Sequence, residues 1–288
     1  MTIIGAHVAG GLKGGAARAV EIGAEALQVF IGSPQMWRMP TLAEADVATF
    51  KAAVSASSLG PVFVHCIYLV NLASERPEVL EKSLGALRAQ LELADRVGAA
   101  GLVFHPGSAG QASYEDAIAR VVAGVRQTLD GYRGQARLIP EVCAGQGQTI
   151  GDRFEELRDL FQALDWDPRL GVCWDTCHLL AAGYDVATAD GLEHTVAAFD
   201  RLLGLERLLV VHANDSKQGL GSNVDRHANI GQGHIGEEGF ARLLTHPALT
   251  HLPWILEVPG YDNAGPDRPN VDALKRLAGR PVPELAVA

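Results

Sequence analysis

Residues 171–183, GVCWDTCHLLAAG, govern how the whole chain is read. Gly171 to Trp174 is a short apolar run of the kind that forms a buried strand, and Asp175 and His178 arrive where that strand would run out into a loop. A carboxylate and an imidazole three residues apart face one point if the chain enters a helical turn, a spacing that suits a metal-ligand pair or acid–base chemistry. Alone, that signal is weak, an Asp helix cap followed by a surface His being the ordinary reading. Repetition elsewhere separates the two readings.

The same pattern recurs on both sides. Apolar runs lie at Ile3 to Val8, Ala26 to Ile31, Pro61 to Cys66, Gly101 to Phe104, Arg137 to Val142, Leu170 to Trp174, Leu208 to His212 and Trp254 to Val258. Between them, 3.6-residue apolar spacing predicts helices over Ala16 to Ile22, Leu42 to Ser57, Pro77 to Val97, Tyr114 to Leu129, Arg153 to Leu164, Val186 to Leu203 and Glu237 to Leu244, with Val271 to Leu277 after the last strand. Strands apolar throughout, each followed by a helix, indicate a parallel sheet covered on its outside, and eight such units in 288 residues point to a closed (β/α)₈ barrel. An open doubly wound sheet is the competing architecture. No linker or composition shift divides the chain, so one domain is expected, with a surface-lying tail from Arg280.

Composition narrows the function classes. With 48% hydrophobic and 20% charged residues the chain reads as soluble and globular, and the start MTIIGAHVAGG shows neither a secretion signal nor a membrane span. A cytoplasmic setting is expected. Cys66, Cys143, Cys173 and Cys177 contain no CxxC pair and read as small core residues in a reducing compartment. A net charge of −10 argues against broad attraction to nucleic acid and leaves room for a local positive site.

The expected strands end in polar groups: His7, His65, His105, Glu141, Asp175 with His178, His212 and Glu257. In a barrel these C-terminal ends converge on the face where active sites lie. Seven of eight strands ending in a possible metal ligand is hard to scatter by accident, because buried ionisable groups are unfavourable unless paired or coordinated. The long segment Asn214 to Gly236 reads as structureless and adds Asp225 and His227, two apart and so on one side of an extended chain. It ends in Gly231-Gln232-Gly233-His234-Ile235-Gly236, formally GxGxxG. Those glycines follow a polar loop rather than a strand, so dinucleotide binding is rejected and loop conformation is the better account.

GAHVAGGL, FHPGS, the E-x-x-AGQG segment from Glu141, GVCWDTCH with AAGYD, HANDSK and VDRHANIGQGHIG resemble, in order over about residues 3–260, the endonuclease IV family of zinc-dependent apurinic/apyrimidinic endonucleases. The resemblance implies a (β/α)₈ barrel holding three zinc ions, with manganese an alternative at one position. It implies a monomer that cleaves duplex DNA 5′ to abasic sites in base-excision repair, leaving a 3′-hydroxyl and a deoxyribose 5′-phosphate. On that pattern His65, His105 and Glu141 would hold one zinc, and Glu141 would bridge to a second held by Asp175, His212 and Glu257. His178, Asp225 and His227 would hold the third. Glu141 and Glu257 would act with a zinc-held hydroxide that attacks phosphorus in line.

Five neutral imidazoles and four carboxylates around three Zn²⁺ leave a local charge of about +2, which lets an acidic protein attract a phosphodiester. Tyr68 and Leu69 match positions where the family inserts side chains beside the extruded nucleotide, the packed start of a helix being their alternative role. At Ser33-Pro34-Gln35-Met36-Trp37 the chain departs from the family's Arg-containing loop, so Gln35 meets the duplex without a guanidinium's contacts. Lys217 and Arg226 are candidate phosphate contacts, and His7 and His234 hydrogen-bonding residues near the site. A xylose-isomerase-like sugar isomerase would use Glu141, Asp175, His212 and Glu257 alone and leave the other five ligands without purpose. A barrel that binds nucleic acid without chemistry would need none of them.

Overall fold

In chain order the strands are β1 (Ile3–His7), β2 (Ala26–Val29), β3 (Val62–His65), β4 (Gly101–Phe104), β5 (Arg137–Pro140), β6 (Val172–Asp175), β7 (Leu208–His212), the short β8 (Asp215–Ser216) and β9 (His227–Ala228), and β10 (Pro253–Leu256). The computed structural model describes residues 2–282. Parallel pairing runs in the order β5-β4-β3-β2-β1-β10-β7-β6. The two ends of that order meet: Leu138 N donates to Arg169 O at 2.9 Å, Gly171 N to Leu138 O at 3.2 Å and Val142 N to Cys173 O at 2.9 Å. The sheet therefore closes into a (β/α)₈ TIM barrel, and the open doubly wound alternative, which needs two free edges, is overturned.

Helices α1 (Gly11–Ile22), α2 (Glu44–Ala56), α3 (Pro77–Val97), α4 (Tyr114–Leu129), α5 (Phe154–Ala163), α6 (Thr176–Ala182), α7 (Ala189–Leu203), α8 (Gly236–Thr245) and α9 (Arg268–Leu277) follow the strands. The larger core, with Phe50, Leu87, Phe154, Phe199 and Phe240, fills the layer between strands and helices. A second core of Ala26, Phe63, Val103, Ile139, Cys173, Val210 and Ile255 plugs the barrel interior. β1 supplies Gly5 at that level, where an added Cβ would sit 2.6 Å from Ile255 Cδ1 and 2.7 Å from Ala26 Cβ.

Several bounds differ from expectation for physical reasons. Glu141 and Glu257 fall one residue past β5 and β10; the apolar runs overshoot because Val142 and Val258, in loops, are also buried. α1 starts at Gly11 instead of Ala16, its glycines having diluted the helical signal. The turn expected after Asp175 is a seven-residue helix, α6, capped by the Asp175 side chain accepting from His178 N at 3.0 Å. α9 begins three residues early, capped by Asp267. Arg280 is no free tail: its guanidinium reaches Glu25 Oε2 at 2.7 Å and Thr2 O at 2.9 Å, closing the barrel's N-terminal end. The rest of the expected tail, 283–288, lies outside the described residues. Among the described residues no helix is long and apolar enough to cross a membrane.

Candidate metal centre

Strand side chains alternate with period two, so the residue two beyond an interior plug residue points back into the barrel, one layer nearer the mouth. Applied to Gly5, Ala26, Phe63, Val103, Ile139, Cys173, Val210 and Ile255, that step gives His7, Gln28, His65, His105, Glu141, Asp175, His212 and Glu257. The polar layer is thus built by strand geometry, directly above an apolar floor. α6 adds His178, and the loop after β7 adds Asp225 and His227.

All nine residues expected as ligands come together. His65, His105 and Glu141 form one group with ligand atoms within 4.8 Å, Glu141, Asp175, His212 and Glu257 a second, and His178, Asp225 and His227 a third. Glu141, 1% exposed, stands at the junction. Its Oε2 lies 3.3 Å from His65 Nε2 and 3.2 Å from His105 Nε2, while its Oε1 lies 3.2 Å from His212 Nδ1. Oε2 thus faces the first group and Oε1 the second, with His178 Nδ1 of the third also 3.2 Å from Oε1. In the third, Asp225 Oδ2 is 3.2 Å from His178 Nε2 and Oδ1 is 3.3 Å from His227 Nε2. Ligands about 2.0–2.1 Å from a tetrahedral zinc are about 3.3–3.4 Å apart, close to these separations, while His212 Nδ1 and Asp175 Oδ2 stand wider at 4.0 Å.

Hydrogen bonding leaves the right nitrogens free. Nδ1 of His65 donates to Cys66 O at 2.7 Å, that of His178 to Val142 O at 3.0 Å and that of His227 to Glu257 O at 3.3 Å. Their Nε2 atoms face the cluster, and those of His178 and His227 are buried without a hydrogen bond. Fixing one ring nitrogen through an oxygen acceptor so that the other can ligate is the usual arrangement at zinc, and the N/O donor set suits that ion. Protons stand in for cations in the electrostatics. Burial would raise the Glu141 carboxyl, yet the imidazoles of His212 and His105 hold it well below the usual range. Burial opposes charge on His178, but Asp175, Asp225 and Glu141 push it well above the ordinary value, and Asp175 and Asp225 likewise raise His227 to about 9. The cluster favours positive charge among its carboxylates.

Sequence reading missed two residues. Gln28, 0% exposed, is the one polar-layer residue without a titratable group, and the two-residue step from Ala26 is the signal that finds it. Asp215, also fully buried, is the other. Its carboxylate accepts from Ser216 N at 2.8 Å, Gly233 N at 2.9 Å, Ile235 N at 2.9 Å and Gly236 N at 3.2 Å. The glycine-rich segment therefore wraps the chain's own anion, which agrees with the rejection of dinucleotide binding. The supposedly structureless loop is a hairpin, Ser216 opposite His227, too short to leave a periodic pattern.

Around the mouth Gln35, Met36, Tyr68, Lys217 and Arg226 are exposed, with Tyr68 N donating to Pro34 O at 3.0 Å. Tyr68 divides two hollows, one of about 400 Å³ beside Glu257 and His227, the other of about 350 Å³ beside His105, His178 and Asp225. Leu69 packs against the core, and both residues lie in a turn well before α3, not at a helix start. Lys217 N bonds Arg226 O at 2.9 Å across the hairpin. His7 bonds Glu257 at 2.7 Å as expected, whereas the His234 side chain is exposed and only its backbone N–H is engaged, by Ser216 O at 2.8 Å. All four cysteines are buried, and burial pushes the Cys66 and Cys173 thiols up to about 12. A larger cleft of about 1180 Å³ by Asp159 and Arg169 gathers none of the nine cluster residues.

Fold and cluster together define a xylose isomerase-like TIM barrel, and the model of that family matches residues 16–278. The "Probable endonuclease 4" of Solibacter usitatus is 44% identical over 286 residues, covering 97% of this chain and 98% of that protein. That of Halothermothrix orenii is 38% identical over 275 residues, covering 95% and 99%. The crystal structure of endonuclease IV from Thermus thermophilus superposes with a TM-score of 0.84 at 41% identity, covering 96% of this chain and 99% of that one. The chain belongs to the endonuclease IV family.

Proposed function

We propose that the chain is a zinc-dependent endonuclease that hydrolyses the phosphodiester 5′ to abasic sites in duplex DNA, leaving 3′-hydroxyl and deoxyribose 5′-phosphate ends, in base-excision repair. Family membership makes it a hydrolase of the endonuclease class. The observation that carries the finer reading is Glu141, whose two oxygens are shared between two groups of ligands. His65, His105 and Glu141 would hold one zinc, Glu141, Asp175, His212 and Glu257 a second, and His178, Asp225 and His227 a third, with manganese an alternative at one position. Bound there, the ions would lower the pKa of water and neutralise charge on phosphate oxygens. Glu141 and Glu257 are the carboxylates nearest the reacting phosphate on this reading, and Asp225 with its two imidazoles faces the leaving oxygen. Tyr68, Leu69 and Gln35 would meet the duplex where the nucleotide is extruded, and Lys217 and Arg226 its phosphates. The protein acts as a one-domain monomer in the cytoplasm, at the nucleoid if bacterial.

The whole ligand set supports the nuclease over a sugar isomerase, which has use for only the second group. Replacing Glu141 by Gln removes the negative charge shared by two ions. Incision of a duplex with an abasic analogue should fall by at least about 10²-fold, with zinc content reduced in parallel. Unchanged incision by Glu141→Gln refutes the proposal.

A further inference from the structure

We infer that Gln28 is a positioning residue for the second metal, selecting the nitrogen of His212 and the oxygen of Glu257 that face it; this rests on the metal centre proposed above. Gln28 is fully buried at the end of β2. Its amide lies 3.0 Å from His212 Nε2 on one side and 2.7 Å from Glu257 Oε1 on the other. The amide nitrogen also lies 3.1 Å from His7 Nδ1, and the shorter contact to the carboxylate decides its orientation. The reverse flip would set the amide oxygen 2.7 Å from a carboxylate oxygen, acceptor against acceptor.

With the amide oxygen toward His212, that ring carries a proton on Nε2. Its Nδ1, 3.2 Å from both Glu141 Oε1 and Glu257 Oε2, is then the nitrogen offered to the cluster. The amide N–H works on Glu257. Together with His7 Nδ1, also 2.7 Å away, it occupies Oε1 and leaves Oε2 turned toward His212 and the centre. His7 is itself steadied by the Phe30 ring at 4.4 Å between centroids. One neutral side chain thus settles the geometry of two ligands that come from different strands, β7 and the end of β10. A carboxamide can do this because it is donor and acceptor at once; no hydrocarbon of the same size can.

Gln28→Met keeps nearly the same volume and removes both arms, and Gln28→Leu is a second truncation should the first disturb folding. In zinc-loaded wild type, ¹⁵N-resolved spectra should show a slowly exchanging His212 Nε2–H, which both variants lose. Competition with a graded chelator should find one zinc held about 10–100-fold more weakly in the variants. On an abasic duplex kcat should fall with KM unchanged, since Gln28 is buried away from DNA. The inference is overturned if the variants hold zinc and turn over like wild type, or if His212 of the loaded wild type carries its proton on Nδ1; that last readout needs no variant. A wild type that binds zinc but leaves abasic DNA intact would sink the nuclease reading while the zinc and spectral arms still judge Gln28.

Discussion

His227 shows how a single side chain links the cluster to pH. Burial disfavours its charge, yet Asp175 and Asp225 raise it from the ordinary 6.5 to about 9. In metal-free protein such a group stabilises the fold fully below about 6.5 and loses that contribution as pH rises through about 9. Glu141 runs the other way: held low by His212 and His105, it stabilises above the ordinary carboxylate value and loses this as pH falls. Zinc requires unprotonated imidazoles, so its own contribution grows with pH. Urea midpoints of zinc-loaded and chelator-treated protein should therefore move apart between pH 6.5 and 9, the metal-free form weakening by on the order of 1–3 kcal/mol. A gap that narrows over that range would mean the imidazoles are not the ligands. Gln35, exposed beside Met36, carries the second residue-level expectation. Gln35→Arg should tighten binding to an abasic duplex by roughly 1 kcal/mol through charge-assisted contacts, and equal affinity in a titration would refute it.

The β8–β9 hairpin and the glycine segment behind it hold Asp225 and His227 in place, and Asp215 holds the hairpin. Asp215→Ala strands several buried N–H groups, each worth about 1–3 kcal/mol. The variant should lose on that order of stability by denaturant unfolding and should release one zinc before the others. Gly233→Ala should behave alike, because its Cβ would lie 2.3 Å from Ser216 O and 2.5 Å from Asp215 Oδ1. If either variant keeps wild-type stability, the wrapped anion is not what orders this loop. These elements also mark where sequence reading reached its limit. Strands with fully apolar runs and ligands at their ends were legible, because a period of two places His65, His105, Glu141, Asp175, His212 and Glu257 on one face. Two-residue strands leave no period to detect, and Asp215, one polar residue in a polar stretch, reveals its role only when the segment eighteen residues on folds back over it. Gln28 escaped because a neutral amide is not among the usual ligands of zinc.

At the scale of the molecule, an excess of ten negative charges has to be reconciled with the proposed DNA substrate. Exposed Lys217 and Arg226 at the mouth are few, so ions in the cluster would supply much of the attraction to phosphate. Chelation should then abolish binding of an abasic duplex together with incision, and retained affinity in metal-free protein would place the attraction elsewhere. The barrel alone does not choose between chemistries; its ligand set does. The most direct check is elemental analysis of purified protein, with incision of an abasic duplex followed through chelation and zinc return. Three zincs per chain, lost and regained with activity, are expected. One or two zincs supporting full incision, or incision indifferent to their removal, would contradict the trinuclear centre.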